Sequence, residues 1–231
     1  MHIKRSAILI AGDKTLHEGV EVMYEFLRSC MGGAWRNEEI IKISCGDRAG
    51  VVSAVAAAHL SEFALVYFIG QGETRKFDLP WTETCVQLSS GETLMESLLN
   101  PGAPRCSLIL DCVGIPLPTS SEVTHLASDA HQEGSDVEWA RRTYAEAICG
   151  AEAGLVKVLA TAIGQKNGIK KLFTQHLINA AIEWAVEGRG ILSYGDAVVK
   201  AARTFTAEVP DGSAVYRGGR RLRDFPFGVR Y

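Results

Sequence analysis

Short apolar runs alternate along this chain with longer segments in which apolar residues recur every three or four positions. Continuous apolar runs of this length are typical of strands buried on both faces, and the periodic segments are typical of amphipathic helices. A repeated alternation of the two favours an α/β fold in which helices cover both sides of a parallel sheet. The predicted strands are Ala7–Ala11, Ile40–Ser44, Phe63–Ile69, Leu108–Asp111 and Leu155–Thr161.

Residues that can cap helices mark where the helices between these strands should begin. A cap at Ser89 predicts a helix that runs through Leu94 to Leu99, after an irregular region with a short strand at Cys85–Leu88. The candidate caps are Thr15 with Glu18, Asp47, Ser89 with Glu92, Ser135 with Glu138, and Ser193 with Asp196.

Two of the predicted strands end in segments that could form a site. The Phe63–Ile69 run is followed by Gly70-Gln71-Gly72, and the Leu108 run is followed by Asp111-Cys112-Val113-Gly114. Ligands of open parallel sheets bind at the carboxyl ends of the strands. We therefore expect both tips to contribute to one candidate site.

Composition narrows the classes of function. With 231 residues, 47% of them hydrophobic, the chain is long enough for one α/β domain with a substantial core. A net charge of −3 argues against general nucleic-acid binding. No apolar run approaches the roughly 20 residues that cross a bilayer, and the run Ala7–Ala11 is too short for a secretory signal. We expect a cytoplasmic protein that does not associate with membranes.

The six cysteines do not suggest a metal site or a disulfide framework. They include no C-x-x-C pair and have no neighbouring pair of histidines. Most are expected to be buried thiols that pack as small apolar residues. We expect neither a metal nor another cofactor.

The order of the two strand tips resembles the caspase-like peptidases, a superfamily that includes metacaspases and bacterial orthocaspases. In that family the first tip carries a Gly-His-Gly and the second an Asp-x-Cys. The family's histidine falls on Gln71 and its cysteine on Val113, which lie 42 residues apart, near the roughly 50 of caspases. Further similar segments are Ala160–Gln165, Gly168–Thr174 and Asp224–Phe227.

The resemblance implies a single caspase-like domain over residues 1–231, with three layers and a mainly parallel central sheet. Residues 115–135 would form a surface loop that resembles the linker between the family's two subunits. In Asp-x-Cys members the acid at the position of Asp111 helps to hold the basic residue before the cleaved bond. Asp111 could equally be a strand-end acid that binds nearby backbone N–H groups, and both readings stay open.

The expected function is that of a pseudo-peptidase, because both catalytic positions are substituted. A glutamine amide neither takes nor gives a proton near neutral pH, and the Val113 side chain has no nucleophilic atom. Such a chain would bind a protein or peptide, with an active peptidase as one candidate partner, in a bacterial signalling or defence system. The alternative is an active cysteine endopeptidase that uses Cys112, with His17 or another histidine as base and specificity for basic residues.

Two further points stay open at the level of sequence. The chain could also be an unrelated α/β protein, and the strand order tests this. If the Phe63 and Leu108 strands are not neighbours, the resemblance loses its basis. The basic run Arg217–Arg223 is either a solvated tail or a surface for an acidic partner.

Overall fold

The computed structural model describes residues 3–44, 46–76, 82–113, 134–162, 173–209, 212–218 and 224–231. Ten strands and five helices follow one another along these segments. In chain order they are β1 Arg5–Ala11, α1 His17–Arg28, β2 Ile40–Ile43, α2 Arg48–Ala57, β3 Phe63–Lys76, β4 Thr82–Gln87, β5 Thr93–Met95, β6 Arg105–Val113, α3 Gly134–Gly150, β7 Gly154–Ala162, α4 Phe173–Glu187, β8 Gly190–Ser193, α5 Tyr194–Glu208, β9 Gly212–Arg217 and β10 Pro226–Arg230.

The central sheet has the strand order β2-β1-β3-β6-β7-β9. Its first five strands are parallel, and β9 closes one edge antiparallel to β7. All five predicted strands lie in this sheet, and β3 and β6 are neighbours, as the expected fold requires. The predicted α/β fold with a mainly parallel sheet is confirmed.

Helices cover both faces of the sheet and enclose two apolar clusters. One cluster joins the sheet to α1, α3, α4 and α5, and includes Val20, Tyr144, Leu177 and Phe205. The other lies on the opposite face and includes Val51 and Val55 of α2. Because β1, β3 and β6 are buried on both faces, their sequences read as continuous apolar runs.

The predicted helix after Ser89 is wrong. The segment instead forms β5 and a short 3-10 turn, Glu96–Leu99, and β4 and β5 pair antiparallel. Leu88 and Glu92 close a turn around Gly91, whose φ of +83° is left-handed and suits glycine. Glu92, the acid of the apparent capping box, instead accepts a hydrogen bond from Ser90 Oγ within this turn and so stabilises a hairpin.

The other predicted caps have mixed outcomes. Asp47 accepts a hydrogen bond from Gly50 N at 2.7 Å, and Ser193 accepts one from Asp196 N at 3.2 Å, so both caps are confirmed. Thr15 does not cap α1, because its hydroxyl and its N–H both donate to Asp13, which starts a 3-10 turn over Lys14–Leu16. The helix predicted from Ser135 is observed as α3.

Several segments differ from the expected pattern towards the end of the chain. Strands β8 and β10 form a separate antiparallel pair, and neither they nor β9 was predicted. The loop expected over 115–135 lies outside the described residues, except that its last two residues begin α3. Of the basic run, 219–223 also lies outside them. In the described part of the chain, no helix is long and apolar enough to cross a membrane.

Candidate functional site

The two strand tips lie side by side at the carboxyl edge of the parallel sheet. Gln71 pairs with Val113 in the register of β3 and β6, two positions after the pairing of Ile69 with Asp111. Beyond Gln71, β3 leaves the parallel sheet and pairs antiparallel with β4. The tip of β3 is therefore held between the central sheet and a hairpin.

Glycines flank Gln71 because other groups of the fold occupy the space beside them. A Cβ on Gly70 would lie 2.6 Å from the Phe68 ring and 3.1 Å from Gly12 Cα. A Cβ on Gly72 would overlap Cys112 Sγ. These glycines thus allow close packing of the strand tips, and Gln71 between them is half-buried.

The pair of positions has little chemical capacity for peptide hydrolysis. The Gln71 amide can donate and accept hydrogen bonds but cannot transfer a proton near neutral pH. Val113 carries only an isopropyl group, and its side chain lies outside the described part of the molecule. Together they offer neither the base nor the nucleophile that acyl transfer requires.

Cys112 is a core residue. Its side chain is 2% exposed and packs in the apolar cluster on the α2 face, next to Gly72. Burial, together with the charges of Asp111 and Glu96, raises the pKa of Cys112 to about 12. A thiol in this environment is protonated at neutral pH and therefore a poor nucleophile.

Asp111 is buried and binds the first turn of α4. Its Oδ2 accepts hydrogen bonds from Thr174 N at 2.8 Å and from Thr174 Oγ1 at 2.6 Å, and Tyr67 Oη lies 2.7 Å from the same hydroxyl. Burial raises the pKa of Asp111, although the bonds from Thr174 and Phe173 act in the opposite direction. Of its two readings, these contacts favour the strand-end acid that binds backbone N–H groups.

His17 is the base named in the alternative reading, and among the described residues no hydrogen bond or ion pair joins its ring to either strand tip. Its ring binds Ser44 and Glu21 near the ends of β1 and β2. Sequence reasoning did not single out Ser44, Tyr67 or Thr174 as functional residues. The position of Ser44 directly after β2 was the one available signal, since it places a hydroxyl at the same edge of the sheet.

No family model matches this chain, and no curated protein matches its sequence. The crystal structure of the Drosophila initiator caspase Dronc is similar with a TM-score of 0.58 and 8% sequence identity, over 100% of this chain and 87% of Dronc. Caspase-1 from Spodoptera frugiperda is similar with a TM-score of 0.53 and 11% identity, over 100% of this chain and 92% of that caspase. The chain therefore has a caspase-like fold.

Proposed function

We propose that this protein is a catalytically inactive caspase-like pseudo-peptidase that binds a protein or peptide partner in the cytoplasm. The observation that carries the proposal is the pairing of Gln71 with Val113 at the carboxyl edge of β3 and β6. These are the positions at which the resemblance puts the catalytic histidine and cysteine. The frame of a peptidase site is kept there without a base or a nucleophile.

The environment of Cys112 supports the proposal. Amide hydrolysis by a cysteine peptidase needs a thiolate beside the scissile carbonyl and an acid for the leaving amine. Cys112 is buried and has a pKa raised to about 12, and the nearby Asp111 carboxylate binds the first turn of α4. An active endopeptidase built on Cys112 with a basic-residue pocket at Asp111 would need both side chains to leave these contacts.

Binding is the activity that a caspase-like frame without its chemistry retains. Gln71 is half-buried on the tip of β3, and its amide can donate and accept hydrogen bonds with a peptide backbone. An active peptidase is a candidate partner, and a bacterial signalling or defence system is the setting that family analogy suggests. Affinity capture from the native host with wild type and Gln71→Ala would show whether a partner depends on this edge.

The test of inactivity compares the wild type with Gln71→His, Val113→Cys and the double variant on fluorogenic peptides that end in Arg, Lys or Asp. We expect the wild type and both single variants to stay at background, because base and nucleophile act as a unit. Only the double variant has both groups, so any recovered turnover should be confined to it.

Cysteine variants discriminate the alternative. Turnover by the wild type that needs reduced thiols and is abolished by Cys112→Ala would overturn the proposal. Cys106→Ala is the matched control, since Cys106 is buried in the same cluster and burial raises its pKa to about 12 as well. In the folded wild type, iodoacetamide should label the half-buried Cys30 and Cys149 before Cys112.

A further inference from the structure

A second polar group lies at the carboxyl edge of the sheet, around the ends of β1 and β2. Ser44 directly follows β2, His17 begins α1 after the tip of β1, and Glu21 lies one turn further along α1. Since β1 and β2 are parallel neighbours, their carboxyl ends bring the helix start and the serine together. This group is separate from the Gln71–Val113 positions, which belong to β3 and β6.

One imidazole ring connects the hydroxyl to the carboxylate. Ser44 Oγ lies 2.8 Å from His17 Nδ1, and His17 Nε2 lies 3.1 Å from Glu21 Oε1. The negative charge of the Glu21 carboxylate beside Nε2 favours the tautomer of His17 that carries its proton on Nε2. In the neutral ring Nδ1 is then the acceptor, and the Ser44 hydroxyl donates to it. A nucleophile (Ser44), its base (His17) and a group that orients the base (Glu21) thus lie next to one another in space.

Glu21 is itself held in place by Lys42 of β2. Lys42 Nζ lies 2.9 Å from both carboxylate oxygens and 4.0 Å from the centre of the Tyr24 ring. Lys42 of β2 binds Glu21, and Ser44, which directly follows β2, binds His17. The end of β2 therefore supports both Ser44 and Glu21, the two groups on either side of the imidazole. This support limits the positions that the imidazole can take relative to the hydroxyl.

The group is open to solvent. The His17 side chain is 51% exposed, Glu21 is 35% exposed and Ser44 is half-buried. The imidazole and part of Ser44 are thus accessible from solvent. An open site gives little binding energy, so it suits a reactive acyl group of small size rather than an extended polymer.

We propose that Ser44 is a nucleophile for acyl transfer from small activated esters, with His17 as general base and Glu21 as the positioning residue. The Ser44 Oγ–H proton passes to His17 Nδ1 while Oγ forms a bond to the ester carbonyl carbon. The carbon–oxygen bond to the leaving group then breaks, and the leaving oxygen takes the proton from Nδ1. In the second half, a water molecule gives a proton to His17 Nδ1 while its oxygen bonds to the acyl carbon. The bond between that carbon and Ser44 Oγ then breaks, Oγ takes the proton back from Nδ1, and the carboxylic acid leaves. The proposal is independent of the proposed binding function.

The test uses the full chain with p-nitrophenyl acetate as substrate and a fluorophosphonate as a covalent probe, with the labelled residue identified by peptide mass. We expect the probe to label Ser44, and the protein to hydrolyse the ester faster than buffer alone does. Ser44→Ala should abolish the labelling and lower the rate about tenfold or more. His17→Gln should do the same, because it keeps a hydrogen-bonding group beside Ser44 but provides no base.

Three further variants separate catalysis from background reactivity. Ser90→Ala removes an exposed serine whose hydroxyl binds a carboxylate, and His59→Ala removes an exposed histidine, and both should leave rate and labelling unchanged. Glu21→Gln should change how the rate of ester hydrolysis depends on pH. The loss of a purely structural contact would instead lower the rate equally at every pH. Equal rates for wild type, Ser44→Ala and His17→Gln in folded protein, or labelling at another residue, would overturn the proposal.

Discussion

At the scale of single residues, Asp111 binds a helix that begins 62 positions later in the chain. Its carboxylate accepts two hydrogen bonds from Thr174, and burial still raises its pKa. A carboxyl whose pKa is higher in the folded than in the unfolded state favours folding most below its unfolded pKa. That contribution declines as pH rises through the folded pKa.

We therefore expect Asp111→Asn, which keeps an oxygen for Thr174 N–H, to become relatively more stable as pH rises. The difference in the free energy of unfolding, wild type minus Asp111→Asn, should fall as pH rises above 3.8, the ordinary pKa of this carboxyl. The difference should level off above the raised pKa of Asp111. Urea unfolding of both proteins across this range measures the difference. Below pH 3.8, where Asp111 is protonated in both states, Asp111→Ala should cost about 1–3 kcal/mol, because Thr174 N–H loses its acceptor. A difference that rises with pH would show that α4 stabilises the carboxylate more than burial destabilises it.

At the scale of elements, α5 begins with two separate acceptors. Ser193 Oγ accepts from Asp196 N, and both oxygens of Asp224 lie 3.1 Å from Gly195 N. Ser193→Ala should lower the free energy of unfolding by about 0.5–1 kcal/mol, because Asp224 still satisfies part of the first turn. Denaturant unfolding measures this loss, with Ser89→Ala at an exposed turn residue as control. A loss as small as that of the control would mean that Asp224 alone caps the helix.

Some of the strands could be predicted from the sequence and others could not. β1, β3 and β6 were predictable because burial on both faces leaves a continuous apolar signature. The second half of β3 was not, since Glu73–Lys76 is polar and extends the strand by pairing with β4. Such a strand depends on its partner, and local sequence gives no periodic signal for it.

At the candidate site too, prediction from sequence failed where a residue's partner is distant in the chain. The nearness of positions 71 and 113 was predictable, because both follow strands that end at one edge. For Asp111 the sequence left two roles open, because its partner Thr174 is brought close only by the packing of α4. The loss of peptidase activity stays a prediction, which the Gln71 and Val113 variants test.

At the scale of the whole molecule, a buried ionic network joins distant segments at the amino edge of the sheet. Arg5 begins β1, binds Glu39 at 3.3 Å, and donates to the carbonyls of Gly33 and Ala34, while its guanidinium lies 4.4 Å from the Trp35 ring. Arg141 of α3 binds the same Glu39 carboxylate and also donates to Ala34. The contacts hold a turn in which Ala34 has a φ of +49°.

We expect Glu39→Gln to lower the free energy of unfolding by about 3–5 kcal/mol near neutral pH, since it leaves two cations without their shared anion. Burial by itself raises the pKa of Glu39, but the hydrogen bond from Arg141 and the charges of both arginines lower it overall. The stability that Glu39 provides is thus fully present at pH values above 4.5, the ordinary pKa of its carboxyl, and is lost as pH falls through the lowered pKa.

Urea unfolding as a function of pH checks both points. The loss caused by Glu39→Gln should shrink in acid, where the wild-type carboxylate is itself protonated. Glu38→Gln is the matched control, because Glu38 is exposed beside it, and it should change stability by less than about 0.5 kcal/mol. If Glu39→Gln and Glu38→Gln lower the free energy of unfolding by the same amount, the network contributes no more stability than an ordinary surface charge.

The parallel sheet has a consequence for the kinetics of folding. The residues that pair between β1 and β3, β3 and β6, and β6 and β7 lie about 40 to 60 positions apart in the chain. Long loops must close before these pairs form, so a topology of this kind belongs to the slow class, with folding times of about milliseconds to seconds. During that interval the apolar β3 and β6 segments have no partner strand, and newly synthesised chains are exposed to aggregation until the sheet is complete.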